Sequence, residues 1–120
     1  INHHLSYTRR VSNAETLLRQ VLEYVQEHYA SHIIVADLAA TCCCSESYIN
    51  HLFTKHFGVS VSTYINKIRI EHAKYALLIT TDKISTIATD VGFSEPSYFS
   101  KVFGNLLGIS PSEFRRRYST

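Results

Sequence analysis

The chain says one thing twice. SYINHLFTKHFGVSVSTY at residues 47–64 returns as SYFSKVFGNLLGISPSEF at residues 97–114. Ser47, Tyr48, Phe53, Gly58, Ser60 and Ser62 match Ser97, Tyr98, Phe103, Gly108, Ser110 and Ser112 at a constant offset. Upstream, Leu38-Ala39 corresponds to Ile87-Ala88, with one extra residue in the second turn. A fixed internal period means that one supersecondary unit, with one pattern of buried positions, is used twice. The chain must therefore fold as two like halves and a connector.

Periodicity fills in the elements. Ser12-Asn13-Ala14-Glu15 has the form of a capping box and is expected to open a first helix over about residues 13–30, with Leu17, Leu18, Val21, Leu22, Val25 and Tyr29 as its apolar stripe. Short helices are expected over about 35–42 and 84–91, each followed by a longer one over about 46–57 and 95–106. Ile49, Leu52, Phe53 and Phe57 are expected to point inward, and Gly58 to stop the helix that carries them. A long helix over about 61–79 has Tyr64, Ile65, Ile68, Ala73, Leu77 and Leu78 on its apolar side and is broken at Asp82. The seventh opens at Ser110-Pro111-Ser112-Glu113, which combines an N-cap serine, an N1 proline and an N3 glutamate. Strand signals are absent. The fold class is all-α: seven helices forming two helix-turn-helix subdomains bridged by a long central helix. The corresponding boundaries are 1–12 as a linker or disordered arm, 13–59 as the first subdomain, 60–80 as the linker helix and 81–120 as the second subdomain.

Several function classes drop out. There is no glycine-rich phosphate loop, no nucleophile elbow and no paired-carboxylate site, so no enzyme is expected. Nor is any cofactor. No apolar run reaches bilayer length and no signal peptide is visible, so a cytoplasmic location is expected. The contiguous Cys42-Cys43-Cys44 is no disulfide framework and points to a reducing compartment. Adjacent cysteines do not clasp one zinc easily, and His28 and His32 lack a further ligand, so no metal is expected. Net charge is only +2, from twelve Lys and Arg against ten Asp and Glu, and decides nothing by itself. The first residue, Ile1, reads as the start of a piece cut from a longer protein.

A short helix, a turn and a longer helix with one polar face form the helix-turn-helix plan. In the second copy the turn is Val91-Gly92-Phe93-Ser94. The first copy puts Cys42, Cys43 and Cys44 where Val91, Gly92 and Phe93 stand, with cysteine as a small hydrophobe and Cys43 at the glycine position. The outward face of the second helix must be small or hydrogen-bonding if it is to approach base edges in a major groove. Ser47, Asn50 and His51 satisfy this in the first copy; Pro96, Ser97, Ser100 and Lys101 do so in the second. Lys55, Asn105 and Arg115 are the candidate phosphate contacts, with Arg116 and Arg117 as a basic tail. A central helix of about nineteen residues at ~1.5 Å each spans about 28 Å. Major-groove faces on one side of a duplex repeat every ~34 Å, so two such helices can address adjacent grooves.

Over about residues 14–118 the chain resembles the DNA-binding domain of AraC/XylS-type bacterial transcription regulators. The resemblance is strongest at Arg69, Ala73, Leu77-Leu78, Ile84, Ile87-Ala88, Val91-Gly92-Phe93, Ser97-Tyr98-Phe99, Phe103, Gly108, Ser110-Pro111, Phe114 and Arg115. It implies sequence-specific binding of double-stranded DNA and contact with RNA polymerase for activation; as a piece of a longer protein, the chain is also expected to have an upstream sensor or receiver domain. The family's base-reading positions fall on Ser47, Asn50 and His51 and on Pro96, Ser97 and Lys101. Where many members carry arginine followed by phenylalanine and lysine, this chain has Lys101, Phe103 and Gly104. Lysine lacks arginine's two-pronged contact to guanine, and Gly104 removes a phosphate-contacting side chain. The alternative is a helical protein-interaction module that keeps the architecture without reading DNA; a plain solvated helix face is the competing account of each polar residue.

Overall fold

A computed structural model describes the backbone of residues 2–119 and the side chains of residues 14–119. It contains α1 (Asn2–His28), α2 (Val35–Thr41), α3 (Glu46–Phe57), α4 (Val61–Ile79), α5 (Ile84–Asp90), α6 (Pro96–Leu107) and α7 (Pro111–Tyr118), with no strand among the described residues. α1 starts well before the expected residue 13, because no glycine or proline interrupts residues 2–12 and nothing obliges the helix to begin at Ser12. The side chains of Ser12 and Asn13, and with them the expected capping box, lie outside the described residues.

The chain divides into two compact units, one comprising residues 1–27 and 33–63 and the other residues 28–32 and 64–120. Most of the long helix α4 thus belongs to the second unit and is part of its core. In the first unit Leu17, Leu18, Val21 and Val25 of α1 are buried, as are Leu38 and Ala39 of α2, Ile49, Leu52 and Phe53 of α3, and Val61 at the start of α4. In the second, Ile70, Ala73 and Leu77 of α4 join Ile87, Ala88, Val91, Phe93, Phe99 and Phe103 in one cluster. Complete burial of each large side chain contributes ~1.5–3 kcal/mol. The rings form a relay, with centroids 5.3 Å apart for Phe93 and Phe99, 5.7 Å for Phe99 and Phe103, and 5.5 Å for Phe103 and Phe114. Such tilted pairs add ~0.5–1.5 kcal/mol beyond their burial.

Several inward assignments change. Leu78 is exposed and Ile70 is buried, because the core face of α4 runs through Ile70, Ala73 and Leu77 and leaves Leu78 at its edge. Phe57 is 42% exposed; it sits in the last turn of α3, its ring 5.1 Å from that of Phe53. Ile68 and Tyr64 are half-buried.

Both longer helices end as their glycines dictate, with Gly58 and Gly108 in the left-handed conformation at φ +74° and +80°. Each bonds back one turn, Gly58 N–H to the Thr54 carbonyl and Gly108 N–H to that of Gly104. Ser110 caps α7, its Oγ accepting from the Glu113 N–H at 3.1 Å. Ser60 Oγ likewise accepts from Thr63 N–H near the start of α4.

Candidate nucleic-acid interface

Each unit presents a second helix whose inner residues are locked in the core and whose outer residues face solvent. In the first, Ser45 caps α3 by accepting from the Tyr48 N–H at 3.0 Å. Ile49, Leu52 and Phe53 anchor α3 from below, and Ser47, His51 and Lys55 are left exposed at i, i+4 and i+8 along one stripe. In the second, Phe99 and Phe103 are fully buried, and Pro96, Ser97, Ser100, Lys101 and Asn105 are exposed. The exposed set is small or hydrogen-bonding apart from one cation in each copy.

Two expected site residues have other tasks. Asn50 is half-buried and its Oδ1 accepts from the Val61 backbone N–H at 3.0 Å, so it caps α4 from α3. Arg115 does not face outward as a phosphate contact would. Its guanidinium donates to the carbonyls of Leu77 at 3.0 Å, Thr80 at 3.2 Å and Asp82 at 2.6 Å, which gathers the orphan carbonyls at the end of α4. A planar fork with five donors suits this work better than a lysine would. The basic tail is also occupied. Arg116 and Arg117 both pair with Glu113, which holds that carboxyl below its usual range, chiefly through the Arg116 hydrogen bond.

Arg69, in the sequence a single signature position, proves to be the organiser of the second turn. Its Nε donates to the Tyr29 carbonyl at 2.7 Å and Nη2 to the Ser31 carbonyl at 2.9 Å, with the guanidinium carbon 5.7 Å from the Phe93 ring centre. Half-burial lowers its pKa from the free guanidinium value, with Tyr98 acting in the opposite direction. Asn66 Nδ2 donates to the Tyr98 hydroxyl at 3.1 Å, and His72 stacks on Tyr29 with ring centres 3.9 Å apart. The hydrogen-bonded partners come from 32 to 40 residues away, so no local sequence signal announces them.

The turns themselves match. Gly92 has φ +109° and Cys43, its counterpart, φ +58°, the sole non-glycine positive φ among the described residues. Cys43 is exposed, whereas Cys42 and Cys44 are half-buried, and burial is the first cause raising both of their thiol pKa values. Among the described residues no group of three or more His, Cys, Asp or Glu side chains is placed to hold a metal ion. No described helix is long and apolar enough to cross a membrane.

Two short-helix, turn, long-helix units with solvent-facing second helices define a tandem helix-turn-helix domain. The helix-turn-helix domain family matches residues 38–117. The arabinose operon regulatory protein of Salmonella typhimurium is 39% identical over 102 residues, which cover 84% of this chain and 36% of that protein. The C-terminal domain of AraT, a response regulator from Geobacillus stearothermophilus, superposes with a TM-score of 0.82 at 30% identity, covering 87% of each chain. The DNA-binding domain of AdpA, a global transcriptional factor solved in complex with a target DNA, gives a TM-score of 0.79 at 25% identity over 84% of this chain and 91% of that one. The chain belongs to the AraC-type helix-turn-helix family. It spans about a third of the length of the curated relatives it matches.

Proposed function

We propose that this chain binds double-stranded DNA sequence-specifically, as the DNA-binding part of a bacterial transcription regulator working in the cytoplasm. The observation that carries this is the split character of α3 and α6. Each has an inner face fixed by fully buried aromatic and aliphatic residues and an outer stripe of small polar residues, in a fold shared with a domain solved on its target DNA.

In this reading Ser47 and His51 of α3 read base edges, as do Ser97, Ser100 and Lys101 of α6, with Pro96 at the leading end. Lys55 and Asn105, one turn further along each stripe, contact phosphates. Asn50 and Arg115 act indirectly, by fixing the ends of α4. The two helices address adjacent major grooves, a reading supported by the ~28 Å length of the nineteen-residue α4 against the ~34 Å groove repeat. Contact with RNA polymerase for activation and a sensor or receiver domain in the same protein complete the proposal; two-component response regulators supply structural relatives.

Selection of bound fragments from random duplexes tests it. The selected site is expected to bind ~1,000-fold or more tighter than random sequence, with affinity falling steeply as salt rises. No enriched sequence and no salt dependence would mark a protein-interaction module instead.

A further inference from the structure

The two turns are equivalent in the repeat but differ in their surroundings. The buried triad Leu18, Val21 and Val25 of α1 has the spacing of Ile70, Ala73 and Leu77 of α4, which pairs Ala14 with Asn66 and Leu17 with Arg69. In the second unit this space is filled. Asn66 holds Tyr98, Arg69 lies over Phe93, and the Tyr29-Ala30 backbone closes on Gly92 so tightly that a Cβ there would stand 2.6 Å from the Tyr29 carbonyl oxygen. In the first unit Ala14, Leu17 and Cys44 stand where Asn66, Arg69 and Phe93 do, each smaller or less polar than its counterpart, around a tyrosine, Tyr48, that matches Tyr98. A cavity of about 390 Å³ remains, lined by the three cysteines together with Ala14, Leu17 and Tyr48 among others. Its volume falls within the ~300–1,000 Å³ typical of small-molecule sites.

Cys43 lines this space and is exposed to solvent. The turn tolerates its Cβ at positive φ, and its side chain is the exposed member of the trio. We infer that Cys43 is a reversible modification site that forms a mixed disulfide with low-molecular-weight disulfides of the glutathione class, the attached group lying in the adjacent cavity. The Cys43 thiolate attacks one sulfur of the reagent. A new bond joins Cys43 Sγ to that sulfur, the reagent's own S–S bond breaks, and the departing thiolate takes up a proton equivalent to the one Cys43 released. Cys43 is oxidised as the leaving thiol is reduced, and excess free thiol reverses the exchange. Cys42 and Cys44 are poor competitors, since burial shields them and favours their protonated forms. This chemistry is independent of the DNA-binding reading and stands or falls separately from it.

The test follows thiolation of the native chain by oxidised glutathione, by intact mass, with circular dichroism on every variant. Wild type should take up one glutathionyl group rapidly, and the Cys42→Ser/Cys44→Ser double variant should do the same. Cys43→Gly, which relieves the positive-φ position and keeps the fold, should react at least ~10-fold more slowly, as expected when only shielded thiols remain. Ala14→Phe, which intrudes on the cavity and leaves all three thiols in place, should slow the reaction several-fold. Free reduced glutathione should restore the starting mass. Equal reactivity of the three thiols in the folded chain, or wild-type kinetics in a folded Ala14→Phe variant, would overturn the assignment.

Discussion

Asn50 Oδ1 accepts a 3.0 Å hydrogen bond from the backbone N–H of Val61, a residue with no exposed surface. The matching positions in the second copy hold Ser100, which is exposed, and Pro111, which is buried and has no N–H to satisfy. The asparagine is thus required by the valine, and the proline releases the serine to face solvent. Asn50→Ala should leave that donor unpaired and cost ~1–3 kcal/mol in denaturant unfolding, whereas Ser100→Ala should stay within about 0.5 kcal/mol. Adding Val61→Pro to Asn50→Ala, which copies the second unit, should restore most of the loss, since proline is favoured at a helix's first position.

Arg115 and Lys55 are both basic but should behave differently. Arg115→Ala removes three hydrogen bonds from the end of α4 and should lower stability by ~1–3 kcal/mol while leaving the salt dependence of DNA affinity unchanged. Lys55→Ala should leave the unfolding midpoint nearly unchanged and reduce the slope of log affinity against log salt by ~1. Thermal melts and salt titrations on both variants check the pair.

Gly92 and Gly104 should respond in opposite directions to the same substitution. At Gly92 a methyl group would press on the Tyr29 carbonyl and the Arg69 Nε at a positive φ, so Gly92→Ala should cost more than the ~1–2 kcal/mol of the backbone term alone. At Gly104 the methyl would meet nothing within 4 Å in a helix interior, so Gly104→Ala should gain up to ~1 kcal/mol. Urea midpoints measure both.

Glu113 gives a pH signature. The Arg116 hydrogen bond holds its folded pKa below the ordinary glutamate range, so its contribution is present above that range and fades as pH falls through the folded pKa. Glu113→Gln should therefore narrow the difference in stability between neutral pH and pH values below about 4, as followed by acid titration of helicity.

Much of this was legible in the sequence. The repeat fixed the plan, Gly58, Gly108 and Ser110 marked helix ends, and the outward stripe of Ser47 and His51 follows from the inward one of Ile49, Leu52 and Phe53. The misread residues share a physical cause. The roles of Asn50 and Arg115 are set by backbone donors and acceptors brought from a distant segment, which no window of local periodicity contains. Ile70 and Leu78 exchanged places because apolar residues at the border of a helix's apolar stripe can turn into the core or out of it, and only packing decides which. The helical start at Asn2 reflects an equally weak signal: a good cap permits a beginning without compelling it.

The most direct test compares His51→Ala with wild type on a selected DNA site and on random duplex at one salt concentration. His51 is exposed on α3 beside Ser47, and the loss of one base contact predicts ~1–3 kcal/mol weaker binding to the selected site with random-sequence binding almost unchanged. Equal weakening on both duplexes, or none on either, would contradict the assignment of α3 as a base-reading helix.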